Sequence, residues 1–138
     1  MPNQEPTNLD IRILVVDDYA MTRSMVQSIL KSAGFRNITQ ADDGATAVRR
    51  LREQKFDLVI CDWRMPKMSG VDFLKYVRSL DSHKHVPFLM LTAEVTHSAV
   101  KEAVEAGVTD YIAKPFTADV LLQKVFKLMA VISENRSD

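Results

Sequence analysis

The chain has 138 residues, which is the length of one domain, so we expect no separate output domain within it. It carries 18 Lys and Arg against 18 Asp and Glu, a formal net charge of +0, and 46% of its residues are hydrophobic. This ordinary globular balance argues against a generic electrostatic grip on nucleic acid or on an anionic membrane.

The sequence carries no mark of export or of a membrane span. Its first residues lack the basic flank and the apolar run of a signal peptide, and Cys61, its one cysteine, cannot form an intrachain disulfide. No apolar run approaches the roughly 20 residues that cross a bilayer. We expect a soluble, cytoplasmic protein, and we expect it to be a monomer.

Two polar ends and five apolar runs organise the chain. Residues 1–10 are predicted to form a flexible leader and residues 133–138 a polar tail, which leaves a domain over residues 11–132. Five short apolar runs in that domain predict β-strands: Ile11–Val16, Asn37–Ala41, Leu58–Cys61, Phe88–Leu91 and Tyr111–Ala113. Three of these runs are almost uniformly apolar, which is typical of strands covered on both faces of a parallel sheet.

Between the strands, apolar residues recur every three or four positions, as they do on one face of a helix. In chain order the stripes are Met21, Met25, Val26, Ile29 and Leu30; Ala47, Val48 and Leu51; Val71, Leu74 and Val77; Val100, Ala103, Val104 and Gly107; and Leu121, Val125, Leu128, Met129 and Ile132. We interpret the methionines in these stripes as core residues. Gly34 and Gly107 are predicted to close the first and fourth helices, and Asp43 to cap the start of the second.

Strand and helix alternate five times, which predicts right-handed crossovers and a doubly wound α/β sheet with helices on both faces. Five parallel strands favour a flavodoxin-like (βα)5 fold with strand order 2-1-3-4-5, an order carried over from known proteins of that fold. In this order the first and third strands flank the point where the strand order reverses. Ligands of open α/β sheets bind beyond the carboxyl ends of the strands at such a point.

Charged and hydroxyl side chains follow four of the predicted strands. Asp17 and Asp18 follow the first strand, Asp62 the third, Thr92 the fourth and Lys114 the fifth. The predicted topology brings the three aspartates together, although 44 or 45 residues separate Asp62 from the other two. Carboxylates ~5 Å apart repel by about 3 kcal/mol per pair at an effective dielectric near 20, so a cation is expected among them.

The nature of the donors indicates which cation and which chemistry. Oxygen ligands in an incomplete cage favour Mg²⁺, and three carboxylates, Mg²⁺ and the ammonium of Lys114 sum to zero charge. A metal ion, a lysine and a threonine hydroxyl around a carboxylate are the components of phosphoryl transfer, with the carboxylate as nucleophile. No histidine follows a predicted strand, which argues against zinc hydrolysis and a serine triad.

From Ile11 to about Ile132 the chain resembles bacterial two-component response-regulator receiver domains, and among them the stand-alone chemotaxis regulators. This family includes the known proteins from which the strand order is carried over. The segments that carry the resemblance are Val15-Val16-Asp17-Asp18, Asp42-Asp43-Gly44, Cys61-Asp62-Trp63-Arg64-Met65-Pro66, Met68-Ser69-Gly70, Leu91-Thr92-Ala93 and Tyr111-Ile112-Ala113-Lys114-Pro115-Phe116.

The resemblance implies a phosphoacceptor and a metal site. Asp62 would take a phosphoryl group from a phosphohistidine of a sensor histidine kinase. Asp18 and Asp62 would ligate Mg²⁺ together with the backbone carbonyl of Arg64, and Asp17 would act largely through water. The domain would then catalyse only its own phosphorylation and dephosphorylation, so we do not expect an enzyme.

The resemblance also implies a switch. Thr92 would hydrogen-bond the phosphoryl group, Lys114 would pair with its oxygens, and movement of Thr92 would let Tyr111 turn inward. The peptide bond from Lys114 to Pro115 would be cis, as is typical of the family. The switched surface would bind a downstream protein such as a flagellar motor switch protein. Its candidate residues are His97, Val100, Val104, Tyr111 and Lys124.

Arg64 departs from the pattern of the chemotaxis regulators, which usually have Asn two residues after the phosphoacceptor. Our hypothesis is that Arg64 pairs with Glu94 over the mouth of the site and slows the approach of hydrolytic water. The alternative is that both are solvated loop charges, worth under ~1 kcal/mol together.

Other functions compete with a receiver that binds a motor protein. A receiver that passes the phosphoryl group on, or drains it as a phosphate sink, has the same sequence features. An aspartate-nucleophile phosphatase of the haloacid dehalogenase type is disfavoured, because Asp17-Asp18-Tyr19 lacks the Asp-x-Asp pattern. A flavodoxin-like cofactor binder is disfavoured as well, because no Ser/Thr/Gly phosphate loop follows the first strand.

Overall fold

Five parallel strands form one sheet in the computed structural model, which describes residues 9–93 and 96–136. The sheet order β2-β1-β3-β4-β5 confirms the predicted doubly wound α/β fold. The elements are β1 Arg12–Val16, α1 Ala20–Ser32, β2 Asn37–Ala41, α2 Gly44–Glu53, β3 Leu58–Asp62, α3 Gly70–Ser79, β4 Phe88–Thr92, α4 His97–Ala106, β5 Asp110–Ala113 and α5 Ala118–Arg136.

The sheet separates two apolar layers, because successive side chains of a strand point to opposite faces. On β1, Ile13 and Val15 pack with residues of α1 and α5, whereas Leu14 and Val16 pack with residues of α2 and α3. All five residues of β3 and of β4 are buried, as the uniformly apolar runs predict for strands that helices cover on both sides. Among the described residues, no helix is both long enough and apolar enough to cross a membrane.

Two strands run one residue further than the sequence predicts, and the extra residues are polar. Asp62 is the last residue of β3 and pairs with Leu91, and Thr92 is the last residue of β4 and pairs with Ala113. The backbone ladder continues through both residues because its hydrogen bonds do not depend on side-chain polarity. Their side chains therefore start from the rigid end of the sheet.

The interpretation of Met21 and Met25 as core residues is wrong. Their exposed fractions are 70% and 42%, whereas Val26 and Leu30 on the same helix are fully buried. The apolar stripe predicted from the sequence is wider than the face of α1 that packs on the sheet. Successive residues lie about 100° apart around a helix, so apolar residues at the side of a wide stripe stay exposed. Val104 of α4 is likewise exposed, by 61%.

The predicted helix ends are confirmed. Gly34 has φ of +105° and Gly107 has φ of +97°, the left-handed region that glycine adopts without steric cost. The Asp43 carboxylate accepts a hydrogen bond from the Thr46 N–H at 2.8 Å, which caps the first turn of α2.

His83 is a buried structural histidine in the turn that follows α3. Its Nε2 accepts a hydrogen bond from the Phe56 N–H at 3.1 Å, so this nitrogen carries no proton. The proton then lies on Nδ1, which faces the Ser82 hydroxyl at 2.8 Å. Burial lowers the pKa of His83, and the positive charge of Lys55 lowers it further. The neutral imidazole thus ties the turn after α3 to the residues before β3.

We predict that His83 makes stability depend on pH below the ordinary histidine pKa near 6.5. Below that pH, His83 binds a proton in the unfolded chain but not in the folded protein. The free energy of unfolding therefore falls as the pH falls, by up to about 1.4 kcal/mol per pH unit. Urea unfolding at several pH values should show that the free energy of unfolding depends less steeply on pH in His83→Gln than in the wild type. The exposed His97 supplies the control, and an equal loss of slope in His97→Gln would contradict the assignment.

Candidate functional site

Three aspartates meet at the carboxyl end of the sheet. Asp17 follows β1, Asp18 follows it, and Asp62 ends β3, the strand that pairs with β1. One carboxylate oxygen from each lies within 4.8 Å of the others, as the predicted topology requires. Asp17 and Asp62 are buried, and Asp18 is exposed, so the cluster opens to solvent on the side of Asp18.

The whole of Asp17 is held by hydrogen bonds. Its N–H donates to the Ala41 carbonyl of β2 at 3.2 Å, and its Oδ1 accepts from the Tyr19 N–H at 2.8 Å. Its Oδ2 accepts from Lys114 Nζ at 3.1 Å, and its backbone carbonyl accepts from Arg23 Nη1 at 2.7 Å. A buried carboxylate with these partners has a fixed orientation.

Lys114 lies between the two buried carboxylates. Its Nζ donates to Asp62 Oδ1 at 2.8 Å as well as to Asp17, and its side chain is 23% exposed. Burial opposes its charge, yet the hydrogen bonds to Asp62 and Asp17 outweigh that cost and raise the pKa of Lys114, which keeps it protonated. The backbone N–H of Lys114 donates to the Thr92 carbonyl at 2.7 Å. The peptide bond from Lys114 to Pro115 is cis, as the resemblance implies.

Asp62 is a buried carboxylate with one oxygen bound by a cation. Burial raises its pKa, the charge of Asp17 adds to the effect, and the hydrogen bond from Lys114 opposes it. Oδ1 is engaged by Lys114, and within the described part of the chain Oδ2 accepts no hydrogen bond. The neighbouring Cys61 is buried, and burial raises the pKa of its thiol well above the ordinary value, so Cys61 is a neutral core residue.

The segment after Asp62 forms one wall of the site. Trp63 is fixed on both sides, because its N–H donates to the Leu91 carbonyl at 2.8 Å and its carbonyl accepts from the Gly70 N–H at 2.7 Å. Further along, Lys67 has φ of +72° and Met68 N–H donates to the Pro66 carbonyl, which turns the chain back toward α3. An open cleft of about 320 Å³ lies here, lined by Asp18, Trp63, Arg64, Met65, Pro66 and Ser69.

Gly70, the first residue of α3, packs directly on the backbone at the end of β3. A Cβ at this position would overlap the Asp62 carbonyl oxygen and would lie 3.0 Å from Met90 Sδ and from Trp63 Cα. Ser69 caps the helix by accepting from the Asp72 N–H at 3.1 Å. The missing side chain of Gly70 therefore lets α3 approach the end of β3.

The other predicted site residues lie on neighbouring strands. Thr92 is buried at the end of β4, and Tyr111 is half-buried on β5. Asp43 caps α2 and lies outside the cluster, as expected. Glu94, the proposed partner of Arg64, lies outside the described residues, so that pairing stays a prediction.

Two residues support this site through contacts that the sequence does not reveal. Gly70 belongs to the segment Met68-Ser69-Gly70, which carries part of the family resemblance, but its packing on Asp62 depends on where α3 lies in space. Arg23 lies within the first helix and acts on a backbone carbonyl, which any residue has. Side-chain type at a strand end identifies the acidic cluster, whereas contacts to backbone leave no pattern of residue types.

The donors present are those that a hard divalent cation prefers. Three carboxylates and one ammonium group leave a formal charge of −2, and every donor atom in the cluster is oxygen. The residues therefore fit Mg²⁺ in number of charges and in donor type.

Comparison with known proteins agrees with this geometry. The family model described as the response regulator receiver domain matches residues 13–126. Over 121 residues, 88% of this chain, the sequence is 46% identical to the chemotaxis protein CheY-3 of Vibrio cholerae and covers 93% of it.

Two solved structures share the fold along nearly their full length. The chemotaxis response regulator CheY4 of Vibrio cholerae aligns with a TM-score of 0.82 at 34% identity, over 86% of this chain and 98% of that one. The receiver domain of a sensor histidine kinase from Pseudomonas aeruginosa aligns with a TM-score of 0.80 at 29% identity, over 88% and 98% of the two chains. That structure is described with a magnesium ion coordinated in its active site cleft.

We predict that Gly70→Ala lowers the free energy of unfolding by roughly 2 kcal/mol, because the methyl group must push α3 away from the backbone of Asp62. Gly44→Ala is the matched control. Gly44 is also the first residue of a helix, but a Cβ there would meet side-chain atoms of Met68, with Sδ at 2.7 Å and Cβ at 2.8 Å, rather than a backbone oxygen as at Gly70. Urea unfolding should show the smaller loss for Gly44→Ala, and the reverse order would contradict the proposed role of Gly70.

Proposed function

Because the chain belongs to the response regulator receiver domain family, we propose that it is a signalling domain that accepts a phosphoryl group on Asp62 from a sensor histidine kinase. The observation that carries this proposal is the position of Lys114, whose ammonium group contacts both Asp17 and Asp62. A phosphoryl group on Asp62 would therefore form beside a fixed cation that stabilises its charge.

Asp62 Oδ2 is the nucleophile in this proposal, since Oδ1 is engaged by Lys114. An electron pair of Oδ2 forms the new O–P bond while the P–N bond of the phosphohistidine breaks and its electrons return to the imidazole nitrogen. The product is an aspartyl phosphate. Hydrolysis by water later regenerates the carboxylate and releases inorganic phosphate.

Mg²⁺ is the proposed cofactor, with Asp18, Asp62 and the Arg64 carbonyl as ligands and Asp17 acting through water. When bound, the ion neutralises charge on the phosphoryl oxygens during transfer. The all-oxygen cluster of this chain supports the assignment, and so does the magnesium ion described for the similar receiver of Pseudomonas aeruginosa. Asp17 keeps its orientation through Tyr19 N–H and Lys114.

Thr92 and Tyr111 are the proposed switch residues. Thr92 is the last residue of β4, the strand next to β3, so it lies at the same carboxyl end of the sheet as Asp62. Its hydroxyl would hydrogen-bond the phosphoryl group. Tyr111 packs at the border of the core on β5, the strand beyond β4. A shift of Thr92 toward the phosphoryl group would open space into which Tyr111 turns.

The output surface in this proposal consists of α4, β5 and α5. Val104 is exposed there and offers an apolar anchor, and Lys124 binds both carboxylate oxygens of Asp110 at 3.1 Å. His97 and Val100 complete the candidate surface, together with Tyr111. We propose a flagellar motor switch protein as the partner, in line with the similarity to chemotaxis regulators.

The proposed receiver domain spans residues 11–132, with residues 1–10 and 133–138 as leader and tail. Leu9 already packs against the core, and Asp10 pairs with Arg36, so contacts with the domain begin two residues before its proposed start. We propose that the protein is cytoplasmic and monomeric.

We predict that acetyl phosphate, added to protein already saturated with Mg²⁺, increases the intact mass by one phosphoryl group and changes Trp63 fluorescence, because Trp63 follows the acceptor directly. Asp62→Asn should abolish both changes, since an amide is not a nucleophile here. Asp72→Asn is the control, because Asp72 is an exposed carboxylate that should not react. A mass gain that persists in Asp62→Asn would refute the acceptor assignment, and rapid turnover of added phosphomonoesters would instead favour a phosphatase.

We predict that the phosphorylated protein binds a flagellar motor switch protein of its own organism at least tenfold more tightly than the unphosphorylated protein does. Val104→Asp should weaken that binding by about tenfold or more without changing phosphorylation, because it places a charge on the apolar anchor. Met25→Asp on α1 is the control. Equal binding in both states, measured by fluorescence anisotropy, would contradict the motor assignment and favour a phosphorelay or phosphate-sink receiver.

A further inference from the structure

Arg23 connects the turn after β1 to β2, one of the two edge strands of the sheet. From the first half of α1 its Nη1 donates to the Asp17 carbonyl at 2.7 Å, and its Nε donates to Gln40 Oε1 on β2 at 3.1 Å. Gln40 is held in turn, because its Nε2 donates to Gln27 Oε1 on α1. Arg23 is half-buried, and together with Gln40 and Gln27 it forms a hydrogen-bonded network of side chains.

The chemistry of the guanidinium suits this role. It is planar, with donors in fixed directions, so it can hold two acceptors at a defined angle. A lysine ammonium in the same place would carry the charge but would lack that fixed geometry. The contact with Asp17 is also special, because the other three polar groups of Asp17 are already held by Ala41, Tyr19 and Lys114.

Charge alone would give Arg23 the opposite effect. A second cation beside the acidic cluster repels an incoming divalent ion, so its removal would strengthen Mg²⁺ binding. Positioning predicts that its removal weakens binding, because Asp17 and the adjacent Asp18 would lose a fixed backbone. The sign of the change in affinity therefore distinguishes the two roles.

We infer that Arg23 is a positioning residue for the metal site, which holds the Asp17 carbonyl against α1 and thereby sets the carboxylates of Asp17 and Asp18. The inference rests on the proposed function, since it concerns the same acidic cluster. Gln40 extends the support to β2, so the edge strand, which has no residue in the cluster, takes part in ordering it.

The test measures the dissociation constant of Mg²⁺ from Trp63 fluorescence and the melting temperature without metal for wild type and four variants. Arg23→Met should weaken Mg²⁺ binding about tenfold, in the range found when groups that orient metal ligands are removed. Arg23→Lys should restore little of the loss. Gln40→Met, which keeps the charge and removes one acceptor, should give a smaller loss in the same direction. Arg52→Met removes an exposed charge from α2 and is the control for net charge.

Several results would overturn the inference. Unchanged or tighter Mg²⁺ binding in Arg23→Met would show that Arg23 acts only through charge or only on stability. Full rescue by Arg23→Lys would show that a single flexible donor is enough and that the fixed two-acceptor geometry of the guanidinium has no role. If Arg23→Met does not fold, the same decision is made with Gln40→Met, where unchanged Mg²⁺ affinity rejects the network. Failure of the wild type itself to bind Mg²⁺ would instead refute the proposed function.

Discussion

The ion pair that Lys114 makes with Asp17 and Asp62 is the interaction on which the site depends. Two buried carboxylates a few ångströms apart repel each other, and burial adds the cost of removing each charge from water. The ammonium group of Lys114, at 3.1 Å and 2.8 Å from the two carboxylates, offsets this cost and is supplied by the residue that follows β5. Within the described part of the chain, Lys114 is the one cation that pairs with these carboxylates, so the three carboxylates of the cluster and its ammonium group sum to −2, a charge that a divalent ion would neutralise.

The fold holds this costly arrangement from both faces of the sheet. On the face of α1 and α5, Arg23 fixes the carbonyl of Asp17. On the other face, Gly70 allows α3 to pack against the carbonyl of Asp62, and its N–H ties down Trp63. The two carboxylates that share Lys114 thus lie at strand ends that different helices support, and their separation is set by the strand pairing between β1 and β3.

Much of this architecture could be predicted from residue patterns, and the exceptions have physical reasons. Uniform apolar runs identified β3 and β4, but the backbone ladder carried them on through Asp62 and Thr92, whose side chains suggested a loop. Met21 and Met25 fit a helical stripe, yet the strip of α1 that the sheet covers is narrower than the stripe. The acidic cluster followed from residue types at strand ends, whereas Arg23 acts on a backbone carbonyl and leaves no such signal.

Arg78 shows how the site can be connected to the proposed output surface. From α3 it donates to the Gly107 carbonyl at 3.0 Å, at the end of α4, and to the Val86 carbonyl at 2.7 Å, before β4. One side of α4, from Thr96 before its first residue to Glu105 near its last, borders a cleft of about 540 Å³ whose far wall includes Trp63 and Arg64. Arg78 therefore holds the C-terminal end of α4, and the side of the helix that lines the cleft faces the loop that follows Asp62. In the proposed function, a phosphoryl group on Asp62 that displaces this loop would act on α4 across the cleft, while Arg78 holds the helix at Gly107.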